Sequence, residues 1–349
     1  MKTKQSALGL HCTGGWRGLY TGTGGLGTAR ERTQAGLDTL RSVVTRMGLV
    51  INTDKEELGQ TLTLLGVKLS TVATETGDQC SAAISDEKRE YVGERCEFFM
   101  HTRSAVRLKD LESFVGLLAF CAQVIFGGAL YLRSGYTLIH AAKASNSQMV
   151  SLSNGFRADC AHWKKLVSFS GSCGTILTRR YFSPLQFAWD ASLHWGIGGF
   201  FQGNFFSIPW SDFSDGTRDM PDAPKEGTPT WHINYMETFA AFVALTRWGK
   251  YLRGCSLVCK TDSASAQKWV GSLTGPAHCI PLLKRIHGLL VRYDIRIVTD
   301  WLSSKANVLP DALSRGDMAG FHIAFQQWKD EGGTLVHLPP PPSQARDPP

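Results

Sequence analysis

The sequence lacks the features of a secreted or membrane-bound protein. Its N-terminal segment, Met1-Lys-Thr-Lys-Gln-Ser, has no apolar signal region. The longest apolar stretch, 114–132, is interrupted by three glycines and a glutamine, which favours a buried helix over a membrane span. We therefore expect a soluble protein with no membrane partner. Its compartment is not defined beyond an intracellular one, either cytoplasmic or nuclear.

Closely paired cysteines are absent as well. The chain has nine cysteines, an odd number with scattered spacings, and none of them forms a Cys-x-x-Cys pair. Cys255 and Cys259 flank an apolar segment that has the character of a strand. We therefore expect reduced thiols in the core of an intracellular protein, and neither a disulfide framework nor a zinc site.

Acidic residues are missing from positions 1–28, and charge of either sign is modest elsewhere. Lys and Arg number 37 against 30 Asp and Glu, and 43% of the 349 residues are hydrophobic. This composition predicts folded cores and excludes a wholly disordered chain, and the length favours two domains. The net charge of +7 suits a nucleic-acid partner, but many proteins without one share it.

Hydrophobic periodicity predicts a mostly helical first half. The predicted elements are helices over 29–48, 104–145 and 157–168, and a strand over 61–70 with a tight bend at Gly66. Residues 71–90 are polar and are expected to form a loop.

After Pro184 the pattern changes to alternating strands and helices. Three apolar segments joined by turn residues, 185–190, 195–201 and 205–210, predict an antiparallel meander. An exposed loop is expected over 211–230, and the elements predicted after it are a helix over 235–252, a strand over 257–261, helices over 264–270 and 281–293, a strand over 295–302 and a helix starting at Asp311. This order predicts an α/β fold. The proline-rich tail after Leu338 is expected to be disordered.

Four acidic residues stand where these elements can gather them. Asp190 and Asp262 end apolar strands, and sites form at the strand ends of an α/β sheet. Glu237 lies near the start of a helix and Asp311 at the start of another, so each alone is explained more simply as a helix-terminal acid. Together they would repel one another unless a divalent cation bound them. The order strand-Asp, helix-Glu, strand-Asp, helix-Asp therefore favours a metal site.

The acids lie within four segments that carry a resemblance when taken together. The segments are Trp189-Asp-Ala-Ser-Leu-His-Trp-Gly-Ile-Gly-Gly199, His232-Ile-Asn-Tyr-Met-Glu237, Lys260-Thr-Asp-Ser263 and Asn307-Val-Leu-Pro-Asp-Ala-Leu-Ser-Arg315. In order and separation they resemble the ribonuclease H domain of retroelement reverse transcriptases, most closely the DIRS-type and gypsy-like groups. The resemblance implies a ribonuclease H-like mixed sheet and endonucleolytic cleavage of the RNA strand in RNA–DNA hybrids. It also implies two Mg²⁺ ions, with Mn²⁺ as an alternative, held by the catalytic residues Asp190, Glu237, Asp262 and Asp311.

Such a hybrid would be recognised by its 2′-hydroxyl groups and groove shape. Four residues beside the acids are candidates for substrate contacts, namely Ser192, Asn234, Ser263 and Asn307. Each is explained equally well as a turn or cap residue. Trp301 departs from the family, because many relatives have there a histidine that helps product release. Like the other tryptophans of this region, Trp301 is expected in the core.

The first half resembles the end of a reverse transcriptase polymerase. Segments 48–55 and 64–67 are similar to its last palm motifs, and Lys55 either lies near the incoming nucleotide's phosphates or is a loop lysine. The family's Tyr-x-Asp-Asp hairpin is replaced by Leu19-Tyr-Thr-Gly-Thr-Gly-Gly25, and the first aspartate of the chain is Asp38. We therefore expect no polymerase activity from this chain alone, with a missing N-terminal polyprotein part or a separate polymerase partner.

These inferences define four segments and leave more than one function open. The segments are a truncated palm remnant over 1–70, a mostly helical thumb or connection over 71–183, a ribonuclease H-like domain over 184–318 and a C-terminal extension over 319–349. The chain is either an active nuclease or a catalytically silent nucleic-acid-binding remnant of a retrotransposon polyprotein. An integrase- or resolvase-like relative fits less well, because its acids are fewer and differently spaced.

Overall fold

The computed structural model describes residues 29–48, 60–64, 66–74, 77–168, 174–176, 183–214, 220, 222–336 and 338. The chain divides into two compact units between Arg180 and Tyr181, and each unit is described by itself. Three sequence predictions fall outside the described residues. They concern the glycine-rich segment 1–28, the segment around Lys55 and the proline-rich tail.

The first unit combines an antiparallel sheet with helices. Its elements are α1 Ala29–Arg46, β1 Thr61–Leu64, β2 Val67–Thr74, β3 Gly77–Ile84, α2 Asp86–His101, β4 Val106–Arg107, α3 Leu108–Cys121, a 3₁₀ turn Gly128–Tyr131, α4 Arg133–Ala144, β5 Met149–Val150, α5 Asn154–Ser168 and β6 Gly174–Ile176. The sheet order is β1-β2-β3-β6, and β4 pairs with β5 separately. The predicted bend at Gly66 is confirmed, because this residue adopts a φ of +80° between β1 and β2.

The prediction of a loop over 71–90 is wrong. Strand β2 continues to Thr74 and pairs antiparallel with β3, and α2 begins at Asp86. Ala82 and Ile84 are buried while the residues between and beside them are partly exposed, which is the two-residue period of a strand with one covered face. The small and polar residues of this strand gave it the composition of a loop.

The second unit is a mixed α/β fold around a five-stranded sheet. Its elements are β7 Ser183–Ala191, β8 Gly196–Phe201, β9 Asn204–Pro209, α6 Ser211–Ser214, α7 Ile233–Trp248, β10 Ser256–Thr261, α8 Ala264–Ser272, α9 Ile280–Arg292, β11 Arg296–Trp301, α10 Val308–Ser314 and α11 Met318–Asp330. The sheet order is β11-β10-β7-β8-β9. Strands β7, β8 and β9 form the predicted antiparallel meander, and β10 runs parallel to both β7 and β11.

Helices cover both faces of this sheet. Side chains of adjacent residues in a strand point to opposite faces, and Phe200 contacts Trp328 of α11 while Phe201 contacts Trp248 of α7. The six residues of β8, Gly-Ile-Gly-Gly-Phe-Phe, are all buried as a result. The face under α10 and α11 is the one that carries the side chain of Asp190, because Asp190 pairs with Gly198 and Gly198 alternates with Phe200.

Helix α11 belongs to the core of the second unit. It starts at Met318, where the sequence suggested the end of the ribonuclease H-like segment, and its Phe321 is fully buried against Phe200 and Leu313. The indole Nε1 of Trp328 donates to Oε1 of Gln186 at 2.6 Å. Across the described parts of both units, no helix has the length and apolarity that crossing a bilayer requires.

We expect Phe321→Ala to lower the free energy of unfolding of the second unit by about 3–5 kcal/mol, since it opens a cavity in a closed core. Urea unfolding followed by tryptophan fluorescence measures the change. Ile323→Ala is the matched control, because Ile323 is 74% exposed on the same helix. Equal unfolding midpoints for the two variants would show that α11 is not docked on the sheet.

Candidate metal centre

Three of the four predicted acids converge at one edge of the second unit's sheet. Asp190 lies on β7, Glu237 on α7 and Asp262 directly after β10, and each offers a carboxylate oxygen within 4.8 Å of the others. Strands β7 and β10 are parallel neighbours, so their carboxyl ends reach the same edge. Asp190 and Glu237 come from opposite faces of the sheet, and Glu237 accepts a backbone hydrogen bond from Ala191 at the end of β7.

Two of these carboxylates are shielded from water. Asp190 and Glu237 are each 4% exposed, whereas Asp262 is partly exposed. The Oε2 atom of Glu237 is buried and has no hydrogen-bond partner among the described residues. An unsatisfied buried carboxylate oxygen is costly, and a cation among these oxygens would remove that cost.

Burial and mutual repulsion both oppose ionisation of the buried acids. Burial raises the pKa of Asp190 to about 7, with further increases from Asp262 and Asp311 and a partial offset from its hydrogen bond with Ser314. Burial also raises the pKa of Glu237 well above its usual value, and the charges of Asp190 and Asp262 add to this. The donor set consists of carboxylate oxygens without sulfur or imidazole, so the three acids fit a hard divalent cation.

Two neutral side chains tie the acids to α10. The Nδ2 atom of Asn307 donates to Oδ1 of Asp190 at 3.2 Å and to Oδ1 of Asp262 at 3.3 Å. The hydroxyl of Ser314 donates to Oδ2 of Asp190. Both oxygens of Asp190 are therefore oriented, and Asp262 is linked to Asp190 through one amide group.

The structure assigns these two side chains a part that the sequence did not suggest. Asn307 was predicted as a substrate contact, but its side chain is 98% buried and faces two acids. Ser314 was not singled out, although it lies one helical turn after Asp311 within a segment that carries the resemblance. That spacing, which places two residues on one face of a helix, was the available signal.

Gly198 allows α10 to lie close to the sheet. A Cβ atom on Gly198 would be 2.6 Å from the carbonyl oxygen of Pro310, the Cβ of Leu313 and the backbone nitrogen of Ser314. Gly198 is also the partner of Asp190 in the pairing of β7 with β8. Because Gly198 has no side chain, α10 lies close enough to the sheet for Ser314 to donate to Asp190.

Asp311, the fourth predicted acid, is not a member of the group of three. Its Oδ1 accepts a hydrogen bond from Nε of Arg315 at 2.8 Å, in an ion pair whose arginine is 64% exposed. The charge of Asp311 still raises the pKa of Asp190 and of Glu237. Asp311 thus lies within electrostatic range of the three acids, and its carboxylate is paired with the guanidinium group of Arg315.

The remaining predicted substrate contacts occupy turn and cap positions near the acids. The Oγ of Ser263 accepts from the backbone nitrogen of Ala266 at 3.2 Å and caps α8. The carbonyl oxygen of Ser192 accepts from Nε1 of Trp210 at 2.8 Å, and Asn234 lies in the first turn of α7. Each has a structural place of its own, and contact with a nucleic acid stays a prediction for all three.

The prediction that Trp301 lies in the core is wrong. Trp301 is the last residue of β11, and its side chain is 53% exposed. Its Nε1 donates to the backbone oxygen of Asp262 at 2.9 Å. The indole therefore lies beside the third acid of the group.

No protein-family model matches the chain, and no curated protein matches it. Among solved structures, it is similar to a foamy viral protease–reverse transcriptase, dRH, in complex with ds DNA, at 15% sequence identity and a TM-score of 0.34. The match covers 79% of this chain and 44% of that one, so this chain spans less than half the length of that protein. Likeness at this level does not establish a shared fold.

We expect the metal-free protein to lose stability through Asp190 as the pH rises from about 4 to about 7. An aspartate in the unfolded chain has a pKa of about 3.9, whereas that of Asp190 is about 7. Between these pH values the folded state keeps a proton that the unfolded state has released, so the free energy of unfolding falls by roughly 4 kcal/mol across this range and changes no further through Asp190 above it. Urea unfolding of wild type and Asp190→Asn in EDTA, at pH 4.5 and 7.5, measures the difference.

The free energy of unfolding of Asp190→Asn should increase relative to that of wild type as the pH rises. A divalent cation at millimolar concentration should stabilise wild type at pH 7.5. Asp300→Asn serves as the control, because Asp300 is an exposed acid of β11 outside the group. A difference between wild type and Asp190→Asn that is the same at both pH values would contradict the burial of an acid here.

We expect Gly198→Ala to weaken divalent-ion binding by about 10- to 100-fold, since it displaces α10 and the hydrogen bonds that orient Asp190. Overpacking should also lower the free energy of unfolding by about 1–3 kcal/mol. Titration calorimetry with Mn²⁺ and urea unfolding measure the two effects. Gly288→Ala is the control, because nothing lies within 4 Å of a Cβ at that exposed position of α9. Wild-type Mn²⁺ affinity in Gly198→Ala would refute the positioning argument.

Proposed function

We propose that the second unit is a metal-dependent phosphodiester hydrolase of the ribonuclease H type. It cleaves the RNA strand of RNA–DNA hybrids endonucleolytically, in a chain derived from a retrotransposon reverse transcriptase. The observation that carries this proposal is the convergence of Asp190, Glu237 and Asp262 within 4.8 Å, two of them buried. Carboxylates that are crowded together in this way serve a bound cation, because without one they destabilise the fold.

The sheet supports the same function. The resemblance in sequence implies a three-stranded antiparallel meander followed by parallel strands, and the second unit has this arrangement. Asp190 lies on its first strand and Asp262 at the end of its fourth. Because β7 and β10 are parallel neighbours, these two acids lie at the same edge of the sheet.

Asp190, Glu237 and Asp262 are the proposed ligands of Mg²⁺ or Mn²⁺, and Asp311 would be the fourth ligand if its carboxylate left Arg315. When bound, two such ions would supply an activated water and stabilise the leaving oxygen of the phosphodiester. Asn307 and Ser314 fix the rotation of the Asp190 carboxyl group. Asn307 also holds the Asp262 carboxyl group next to it, because its amide donates to both acids. Their role is to position ligands and not to touch the substrate.

The substrate side of the proposal rests on residues beside the acids. Ser263 directly follows Asp262, Ser192 lies in the turn after β7, and Asn234 lies one turn before Glu237. Their polar groups are the proposed contacts to 2′-hydroxyls, which distinguish an RNA strand from a DNA strand. Polymerase activity is not part of the proposal.

The pairing of Asp311 with Arg315 favours one alternative. If Asp311 stays with Arg315, three acids remain at the centre, and the chain is a catalytically silent nucleic-acid-binding remnant. Such a protein binds hybrids without cutting them, so binding and cleavage must be measured on the same preparation.

We expect the full chain to cleave the RNA strand of a labelled RNA–DNA hybrid in Mg²⁺, leaving the DNA strand intact. Asp190→Asn should lower the rate by more than about 100-fold, because loss of a ligand exceeds the 10- to 100-fold effect of losing a residue that only orients one. Denaturing gels of both labelled strands measure this, with EDTA as the blank and Asp300→Asn as the control.

Equal rates for wild type and Asp190→Asn would end the catalytic proposal. Tight binding of the hybrid by wild type with no cleavage in Mg²⁺ or Mn²⁺ would establish the silent remnant instead.

A further inference from the structure

Trp301 exposes an unusually large apolar surface. Among the described tryptophans, it alone leaves more than half of its side chain in solvent, at 53%. An aromatic ring of this size contributes substantial stability when it is buried. At the end of β11 the exposed surface of Trp301 is instead free to contact a ligand.

The ring is fixed beside the candidate metal centre. Its only polar atom, Nε1, is engaged with the backbone oxygen of Asp262 at 2.9 Å, so its remaining surface is an apolar π face. In the pairing of β10 with β11, Trp301 stands next to Thr261, the residue before Asp262. The loop that leaves Trp301 leads to Asn307, which holds Asp190 and Asp262. Trp301 thus lies beside Asp262 through the pairing of β10 with β11, and the loop after it connects it to the residue that contacts Asp190.

The chain after Trp301 suits a polyanion. Residues 303–306, Ser-Ser-Lys-Ala, are all exposed and contain a cation at Lys305. Val308, 49% exposed, adds an apolar side chain shortly after this loop. A flat ring beside polar and cationic groups is the combination that binds nucleic-acid strands by stacking.

We propose that Trp301 is a substrate-contacting residue that stacks on an unpaired nucleobase next to the metal centre. This inference rests on the proposed function and narrows its substrate. In a continuous duplex the faces of each base are covered by its neighbours, so a stacking ring finds a free face only at a strand end, a nick or an unpaired nucleotide. The preferred substrate is therefore a hybrid whose paired region ends close to the cleaved phosphate.

The test compares two hybrids that differ only at one end. One is blunt, and the other has a five-nucleotide single-stranded RNA extension that carries 2-aminopurine at its first unpaired position. Binding to the full chain is measured by fluorescence anisotropy with Ca²⁺ in place of Mg²⁺, and stacking by quenching of the 2-aminopurine. Wild type should bind the extended hybrid more tightly and quench its probe.

Trp301→Ala should weaken binding of the extended hybrid by about 5- to 100-fold, which corresponds to the loss of one base–aromatic stack. It should abolish the quenching and leave binding of the blunt hybrid within about three-fold. Trp301→Phe keeps a ring and should retain most of the preference. Ile323→Ala removes an apolar side chain with 74% exposure elsewhere in the unit and should change neither measurement.

Hybrid binding by wild type with equal affinity for both ends, or quenching that persists in Trp301→Ala, overturns the role of Trp301 and leaves the proposed function standing. Failure of wild type to bind either hybrid rejects the proposed function and this inference together.

Discussion

Repulsion between buried carboxylates is the constraint on which the second unit depends. Asp190 and Glu237 are buried, and the hydrogen bonds that reach them among the described residues come from neutral side chains and a backbone amide. Neutral donors orient a charge but do not cancel it, so the surrounding structure must resist the tendency of these groups to separate. Packing on both faces of the sheet supplies that resistance. The aromatic clusters under α7 and α11 hold the elements that carry the acids.

The sequence predicts the parts of this arrangement that follow from period and order. Asp190 and Asp262 could be placed because apolar strands end at them, and parallel strands end at one edge. Contacts between distant segments could not be predicted, so Ser314 and Gly198 emerged only when β8 and α10 were seen together. Trp301 was misplaced because large aromatic residues are usually buried, a tendency that does not hold at this strand end.

Asp311 illustrates how one residue satisfies a motif and a local rule at the same time. Its motif position suggests a fourth ligand, whereas Arg315 lies four residues later on the same helix, a spacing that favours an ion pair. In the described structure the local pair is formed. The arginine also feels Asp190 and Asp262, since both raise its pKa after the larger effect of Asp311. The guanidinium group is thus a tethered counter-ion at the rim of an acidic centre.

Gly198 carries no functional group, yet the centre relies on the space that it leaves empty. A single missense change at this position in the sheet can therefore impair the site while every acid is inherited unchanged. A survey of related chains that scores only the acidic residues would count such an impaired chain as having an intact site. Gly198 is therefore as informative as the acids when related chains are compared.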